Sequence, residues 1–83
     1  MKILYFSWVR ERIGMESEYL KINNEINDIN ELISFLKTCS ENHNKAFSDL
    51  ESINVAINKS HASHKSKIKD SDEVAFFPPI TGG

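Results

Sequence analysis

The chain has 83 residues, of which 40% are hydrophobic and 27% are charged, and its formal net charge at pH 7 is -2. This is the composition of a globular protein, and the length allows one domain with one small core. The acidic balance argues against a nucleic-acid binder, because such a protein gains its affinity by neutralising phosphates. The single cysteine excludes an intrachain disulfide, and the N-terminal apolar run is too short for a secretion signal or a membrane helix. We therefore expect a cytoplasmic protein that binds neither nucleic acid nor membrane.

The N-terminal part of the chain is predicted to be a β-hairpin. Residues 2–8 are rich in β-branched and aromatic side chains, and residues 16–22 alternate between the two faces of a half-buried strand. Residues 9–15, which include Gly14, are expected to form the turn between these strands.

One main helix is predicted after the hairpin. Asp28, followed three residues later by Glu31, resembles a capping box. The apolar residues that follow at helical spacing are Ile29, Leu32, Ile33, Leu36 and Cys39. This pattern predicts an amphipathic helix over residues 29–40 that buries Cys39 as a structural thiol. Residues 41–51 are expected to form a loop or a short helical turn.

The remaining segments are predicted to return to the sheet. Residues 53–57 alternate as a half-buried strand, and residues 74–77 form a final strand that ends at two prolines, which cannot donate to a sheet. Residues 59–69 are expected to be a turn with a short edge strand. Lysines at every second position in the second half of this lysine-rich segment indicate a face exposed to solvent, the alternative being a patch that docks a partner.

This order of elements predicts an α+β fold of the β-grasp (ubiquitin-like) type. Such a domain has a mixed sheet of four to five strands, with one main helix packed on one face and the last strand beside the first. We expect the domain to span residues 1–78 and residues 79–83 to form a flexible C-terminal tail.

Two aromatic residues are candidates for binding a partner. If Tyr5 and Phe76 face the helix, Phe6 and Phe77 lie exposed and close together on the opposite face of the sheet. An exposed apolar patch of this kind is typical of a docking surface. The alternative is that the two faces are swapped, or that a loop covers the rings. Arg10 is interpreted either as a charged contact at the rim of this patch or as a solvated turn residue.

The histidines are not arranged like metal ligands. No cysteine or carboxylate lies at ligand spacing beside His43, His61 or His64. We expect three solvated imidazoles and no metal site.

The chain ends in a glycine pair, Gly82 and Gly83. Glycine has no Cβ, so this ending could be drawn through a channel too narrow for a side chain. We interpret the C-terminal carboxylate of Gly83 as the candidate reactive group, the alternative being an inert, frayed terminus.

The two ends of the sequence resemble a known family. Residues 72–83, read as Asp-Glu-Val-Ala-Phe-Phe-Pro-Pro-Ile-Thr-Gly-Gly, are similar to the C-terminal signature of the small, sulfur-carrying subunits of molybdopterin synthase (MoaD type). Residues 4–11, with Gly14 after them, are similar to the first strand and turn of that family. The resemblance covers the whole chain, although its middle is generic.

The resemblance implies a carrier cycle centred on Gly83. An E1-like adenylyltransferase would adenylate the carboxylate with ATP and magnesium, and a sulfur donor protein would supply the sulfur of a thiocarboxylate. The tail, including Thr81 and Gly82, would then enter the large subunit of molybdopterin synthase and deliver sulfur to a cyclic pyranopterin monophosphate. In this scheme the chain itself binds no cofactor. Adenylation supplies the leaving group that a carboxylate lacks, and the thiocarboxylate is a good nucleophile near neutral pH.

Three other functions share this ending. A sulfur carrier of thiamine synthesis also ends in Gly-Gly, although the Phe-Phe-Pro-Pro run favours the molybdopterin type. A ubiquitin-like protein modifier would join the activated Gly83 to a lysine of a target protein. A pure interaction module would leave the glycine pair without a use.

Overall fold

The computed structural model describes residues 1–79. Within that range a mixed sheet of five strands is accompanied by three α-helices and one 3₁₀ turn. The strands are β1 (Lys2–Tyr5), β2 (Ser17–Tyr19), β3 (Asn54–Ile57), β4 (Ser60–Ala62) and β5 (Glu73–Phe77). The helices are α1 (Ser7–Ile13), α2 (Ile29–Lys37) and α3 (Glu41–Ala46), and the 3₁₀ turn is Leu50–Ser52.

The sheet has the strand order β2-β1-β5-β3-β4. The last strand, β5, lies in the centre, parallel to β1 and antiparallel to β3, while β2 and β4 form the antiparallel edges. The predicted α+β fold of β-grasp type is confirmed, including the pairing of the last strand with the first.

The core lies between one face of the sheet and the helices. Buried and less buried side chains alternate along β1 and β5, so that every second residue faces the core. Three aromatic rings meet there: Phe47 packs edge-on against Phe76 at 5.0 Å between centroids, and Tyr5 stacks on Phe76 at 6.2 Å. Such contacts add specific geometry to the burial of large apolar surfaces.

Helix α2 begins where the capping box predicts. The Asp28 carboxylate accepts the backbone N–H of Glu31 at 2.8 Å, and the Glu31 carboxylate accepts the backbone N–H of Asn27 at 2.8 Å. Two further N–H groups of the first turn, those of Ile29 and Asn30, donate to backbone carbonyls of the lysine-rich segment. That segment therefore caps the helix, while its alternate lysines face solvent as predicted.

The C-terminal end of α2 departs from the prediction. The helix ends at Lys37, and Cys39 lies beyond it in an exposed turn. The predicted burial of Cys39 is therefore wrong. Partial desolvation, with the nearby negative charge of Glu18, raises the pKa of this thiol. A raised pKa reduces the thiolate fraction and the reactivity of the cysteine.

The predicted turn over residues 9–15 is wrong, because helix α1 lies there. Strand β1 ends at Tyr5, and the helix buries Val9 and Ile13, which are one helical turn apart. Gly14 ends the helix with a φ of 90°, and its N–H donates to the carbonyl of Arg10 at 2.8 Å. Glycine is favoured at this left-handed position because it has no Cβ.

The segment predicted as a loop or short helical turn contains α3 and the 3₁₀ turn. Ser40 caps α3, since its hydroxyl accepts the backbone N–H of His43 at 3.1 Å. Helices α1 and α3 pack against each other and, with α2, cover the sheet. The single main helix of the prediction thus becomes a layer of three helices. No helix within residues 1–79 has the length and apolar character needed to cross a membrane.

Candidate functional site

The sheet face opposite the helices carries a groove of about 360 Å³. We call it the sheet groove; its lining residues are Leu4, Phe6, Ala56, Lys59, Glu73, Ala75 and Phe77. Ala56 and Ala75 are directly paired on the neighbouring strands β3 and β5. Because these two side chains are small and the flanking rings are large, the middle of the face is a depression.

Strand alternation places the aromatic walls of the groove as predicted. Phe76 is fully buried against the helices, whereas its neighbour Phe77 is half-buried on the other face, and Phe6 is 45% exposed. The N–H of Phe6 donates to the carbonyl of Phe76 at 3.1 Å, which holds the ends of β1 and β5 together. The predicted assignment of faces is confirmed, while binding of a partner through Phe6 and Phe77 stays a prediction.

The sheet groove extends to the C-terminal end of β5, the strand that precedes the predicted tail. Phe77 is the last residue of β5, and Pro78 and Pro79 follow it. The predicted tail residues Thr81, Gly82 and Gly83 lie outside the described residues. A partner seated over Phe77 would therefore be close to the point at which the predicted tail begins.

The structure places Arg10 away from the groove. Its exposed side chain lies on α1 and lines a separate depression with Gly14, Met15 and Glu16. Arg10 therefore does not form the rim of the patch between Phe6 and Phe77, and it is not a turn residue, because the predicted turn is a helix. Its role in partner binding stays a prediction.

Five of the seven residues that line the groove were not among the predicted site residues, namely Leu4, Ala56, Lys59, Glu73 and Ala75, and neither was His61 beside it. Lys59 lines the groove at the two-residue turn between β3 and β4, and exposed His61 packs edge-on against Phe77 at 6.1 Å between ring centroids. The sequence signal that could have found both Lys59 and His61 is the pair Asn58 and Lys59. This pair lies between two short strands and is typical of a tight turn, which places Lys59 and His61 near the sheet face that carries Phe77.

The expectation of three solvated histidines is wrong. His43 is buried: its Nε2 bonds a carboxylate oxygen of Glu18 at 2.7 Å, and its Nδ1 bonds the hydroxyl of Ser40 at 2.7 Å. His64 is half-buried and bonds the carbonyl of Ile53 through Nε2 at 2.8 Å. Only His61 is exposed, because α3 and the chain after β4 hold the other two rings.

A partly buried polar network links β1, β2 and α3. The carboxylate oxygen of Glu18 that is hydrogen-bonded to His43 also accepts a hydrogen bond from the Tyr5 hydroxyl at 2.7 Å. Burial, and then the bond to the Glu18 carboxylate, raise the pKa of Tyr5 far above its ordinary value. Ser40, His43 and Glu18 resemble a nucleophilic triad in order, but the Ser40 hydroxyl is also the cap of α3. The network therefore fastens the edge strand to the helices.

No group of three or more metal-ligating side chains is assembled within residues 1–79. The chemistry that the described residues support is docking, through an apolar depression with charged groups at one end.

Comparison with known proteins identifies the family. The sequence profile of the ThiS family matches residues 3–83. The chain belongs to the ThiS family. It is also 31% identical over 83 residues to the molybdopterin synthase sulfur carrier subunit of Escherichia coli strain K12, and the alignment covers 100% of this chain and 99% of that protein.

Solved structures of similar proteins share the fold of this ThiS-family chain. The putative molybdopterin converting factor subunit 1 of Pyrococcus furiosus matches with a TM-score of 0.75 at 27% identity, covering 95% of each chain. A chain in the complex of subunits 1 and 2 of molybdopterin-converting factor from Helicobacter pylori 26695 matches with a TM-score of 0.63 at 24% identity, covering 99% of this chain and 96% of that one. At that identity the second match shows the fold alone.

Proposed function

We propose that this chain is the sulfur carrier subunit of a molybdopterin synthase. The observation that carries the proposal is the relation to the Escherichia coli carrier subunit, which extends over the full length of both proteins. The sheet groove supports it, because an exposed apolar depression beside the start of the tail suits a protein that works by docking.

The proposed chemistry takes place at the carboxylate of Gly83. An E1-like adenylyltransferase uses ATP and magnesium to join this carboxylate to AMP, with release of pyrophosphate. Sulfur at the oxidation level of sulfide, supplied by a sulfur donor protein, then displaces AMP and leaves a thiocarboxylate. Each step replaces a poor leaving group or nucleophile with a better one.

The proposed partner in delivery is the large subunit of the synthase. The carrier docks through the sheet groove, with an apolar side chain of the partner seated over Ala56 and Ala75 between Phe6 and Phe77. Aromatic residues at the centre of an interface commonly supply much of its affinity. The tail then reaches the partner's pocket, where sulfur passes to a cyclic pyranopterin monophosphate and water restores the carboxylate of Gly83.

Intact-mass measurement tests the charging step. The chain is incubated with ATP, magnesium, an E1-like enzyme and a sulfur donor protein, and we expect the mass change of one oxygen replaced by one sulfur. A variant that lacks Gly83 is the matched control, since it ends one residue short of the proposed reactive carboxylate. We expect this variant to melt like the parent and to keep its mass. An unchanged mass of the parent, or charging of the shortened variant, would contradict the proposal.

The delivery step separates this function from that of a thiamine-type carrier. Two charged carriers for each cyclic pyranopterin monophosphate, mixed with the large subunit, should yield one dithiolene product and two uncharged carriers, because each thiocarboxylate supplies one of the two sulfurs. Charging without binding to the large subunit would favour the thiamine-type alternative.

A further inference from the structure

Lys59 occupies a backbone position whose conformation is unfavourable for lysine. Its φ is 71°, directly after Asn58 with a φ of 50°, so both residues of the β3–β4 turn are in the left-handed region. Glycine is strongly preferred at such positions because a Cβ is crowded there. A lysine in this place is unfavourable for the turn itself.

Asn58 is explained by its contacts. Its side chain donates to the Asp72 carboxylate and accepts the N–H of Glu73, each at 2.9 Å, and its own N–H donates to the carbonyl of Glu73 at 2.8 Å. Asparagine also tolerates the left-handed region better than most residues. The turn and β5 are therefore tied together through Asn58.

Lys59 has no comparable explanation within residues 1–79. Every side-chain hydrogen bond found within residues 1–79 joins other residues. The two ion pairs found in this range, Met1 with Asp70 and His43 with Glu18, do not involve Lys59 either. Glu73, which also lines the groove, does not approach the Lys59 ammonium within the 4.0 Å of an ion pair. The side chain is instead exposed at the end of an otherwise largely apolar groove.

We propose that Lys59 is a specificity-determining contact of the sheet groove, and that the partner docked there places a carboxylate against the Lys59 ammonium. This inference rests on the proposed function, in which the partner is the large subunit of the synthase. Docking removes water from the apolar groove, which strengthens the attraction between the Lys59 ammonium at its end and an opposite charge on the partner. A carboxylate supplies that charge and fixes the orientation of the partner on a face whose remaining contacts are mostly non-directional.

The test compares affinities of variants for the large synthase subunit by calorimetry over a range of salt concentrations. Lys59→Gln removes the charge and keeps most of the length, and we expect it to weaken binding about 3- to 10-fold at low salt. Lys59→Arg should bind about as tightly as the parent. The loss in Lys59→Gln should shrink as salt rises, because salt screens a contact at the edge of an interface.

Two controls separate this contact from general effects of charge. Lys65→Gln removes the same charge from the same lysine-rich surface, outside the groove, and should bind like the parent. Glu73→Gln alters the groove itself and should tighten binding, since it removes a negative charge near the incoming carboxylate of the partner. Equal weakening in Lys59→Gln and Glu73→Gln would instead show that these two residues pair with each other in the complex, which would overturn the proposal.

Folding is checked with Lys59→Gly, which relieves the left-handed position. This variant should melt at least as high as the parent and still bind weakly, so that lost affinity cannot come from an unfolded domain. Parent-like affinity of Lys59→Gln and Lys59→Gly would overturn the inference and leave the proposed function standing. If the parent does not bind the large subunit, the proposed function is overturned and this inference with it.

Discussion

Phe76 and Phe77 are adjacent in sequence and face opposite sides of β5. Phe76 is fully buried and packs on Tyr5 and Phe47, whereas Phe77 lines the sheet groove. One strand thus carries a residue that stabilises the core beside a residue that we propose contacts the partner.

The two phenylalanines should respond differently to truncation. Phe76→Ala is expected to lower the free energy of unfolding by about 3–5 kcal/mol, because it removes buried contacts and leaves a cavity. Phe77→Ala should cost the isolated domain little, but should weaken binding to the large subunit by about 2 kcal/mol or more if the ring is a central anchor. Thermal melts and calorimetry of both variants measure this contrast. If Phe77→Ala melts as early as Phe76→Ala, or binds like the parent, the proposed role of Phe77 is wrong.

Tyr5 should make the stability of the domain sensitive to alkaline pH. Its pKa in the folded state is raised above the ordinary value of 10.0, so the unfolded chain releases this proton first as pH rises. The contribution of Tyr5 to stability is therefore fully present below about pH 10 and is lost progressively above it. In Tyr5→Phe this part of the alkaline decline should be absent, while stability near neutral pH should fall by about 1 kcal/mol through the lost hydrogen bond.

Urea unfolding of parent and Tyr5→Phe, at about neutral pH and from about pH 9 to 11, checks this expectation. The difference between the two proteins removes the effect of the exposed Tyr19. Parallel alkaline declines in the two proteins would contradict the assigned role of Tyr5.

Single residues were predictable where their surroundings are local. The faces of Phe76 and Phe77 follow from alternation along one strand, which the sequence displays directly. The burial of His43 depends on its hydrogen bond to Glu18, which is 25 residues away in sequence. No local sequence pattern indicates a partner at such a separation. Cys39 was misplaced for a related reason, because the apolar spacing continues past the residue at which α2 ends.

At the scale of elements, α2 carries the strongest start signal in the chain. Asp28→Ala should lower the free energy of unfolding by about 1 kcal/mol, because it removes the acceptor for the N–H of Glu31. Asp28→Asn should retain most of the stability. Ser34→Ala, at an exposed position inside the same helix, is the matched control and should be neutral or slightly stabilising, because alanine is the better helix former. Denaturant unfolding measures all three, and an Asp28→Ala variant as stable as the parent would show that the carbonyls of the lysine-rich segment suffice as the cap.

The elements found from the sequence are those with long or sharply bounded patterns. Helix α2 has a clear periodicity and a clear start, and strands β3 and β5 have a clear periodicity and clear ends. Helix α1 was missed because it has only seven residues, and its first residues continue the aromatic run of β1. The spacing of Val9 and Ile13, followed by Gly14, is the signal that could have found it.

At the scale of the whole molecule, the fold alone does not separate a sulfur carrier from a protein modifier, because both would activate Gly83. The proposed function predicts that sulfur leaves the chain and that no lasting adduct forms on other proteins. Denaturing gels of cells that produce an N-terminally tagged chain should show the free chain alone after thiol reduction. A ladder of larger species that survives reduction, and that disappears when Gly83 is deleted, would favour the modifier.

The overall architecture was predictable because few folds accommodate this order of strands and helix. The depth of the sheet groove was not predictable, since it depends on Ala56 and Ala75 lying side by side on the neighbouring strands β3 and β5. That pairing is a matter of register between strands far apart in sequence.

The central position of β5 also bears on how the chain is made. Ribosomes make this strand after the other four strands of the sheet, yet it joins β1 to β3 and carries Phe76 into the core. A nascent chain that stops before Glu73 would lack the middle of its sheet and could not bury the apolar faces on either side. Such fragments would be exposed to cellular proteases, whereas a folded chain has at least reached the strand that leads into its tail. Folding therefore depends on β5, and only chains that contain the segment next to the proposed reactive end form the stable domain.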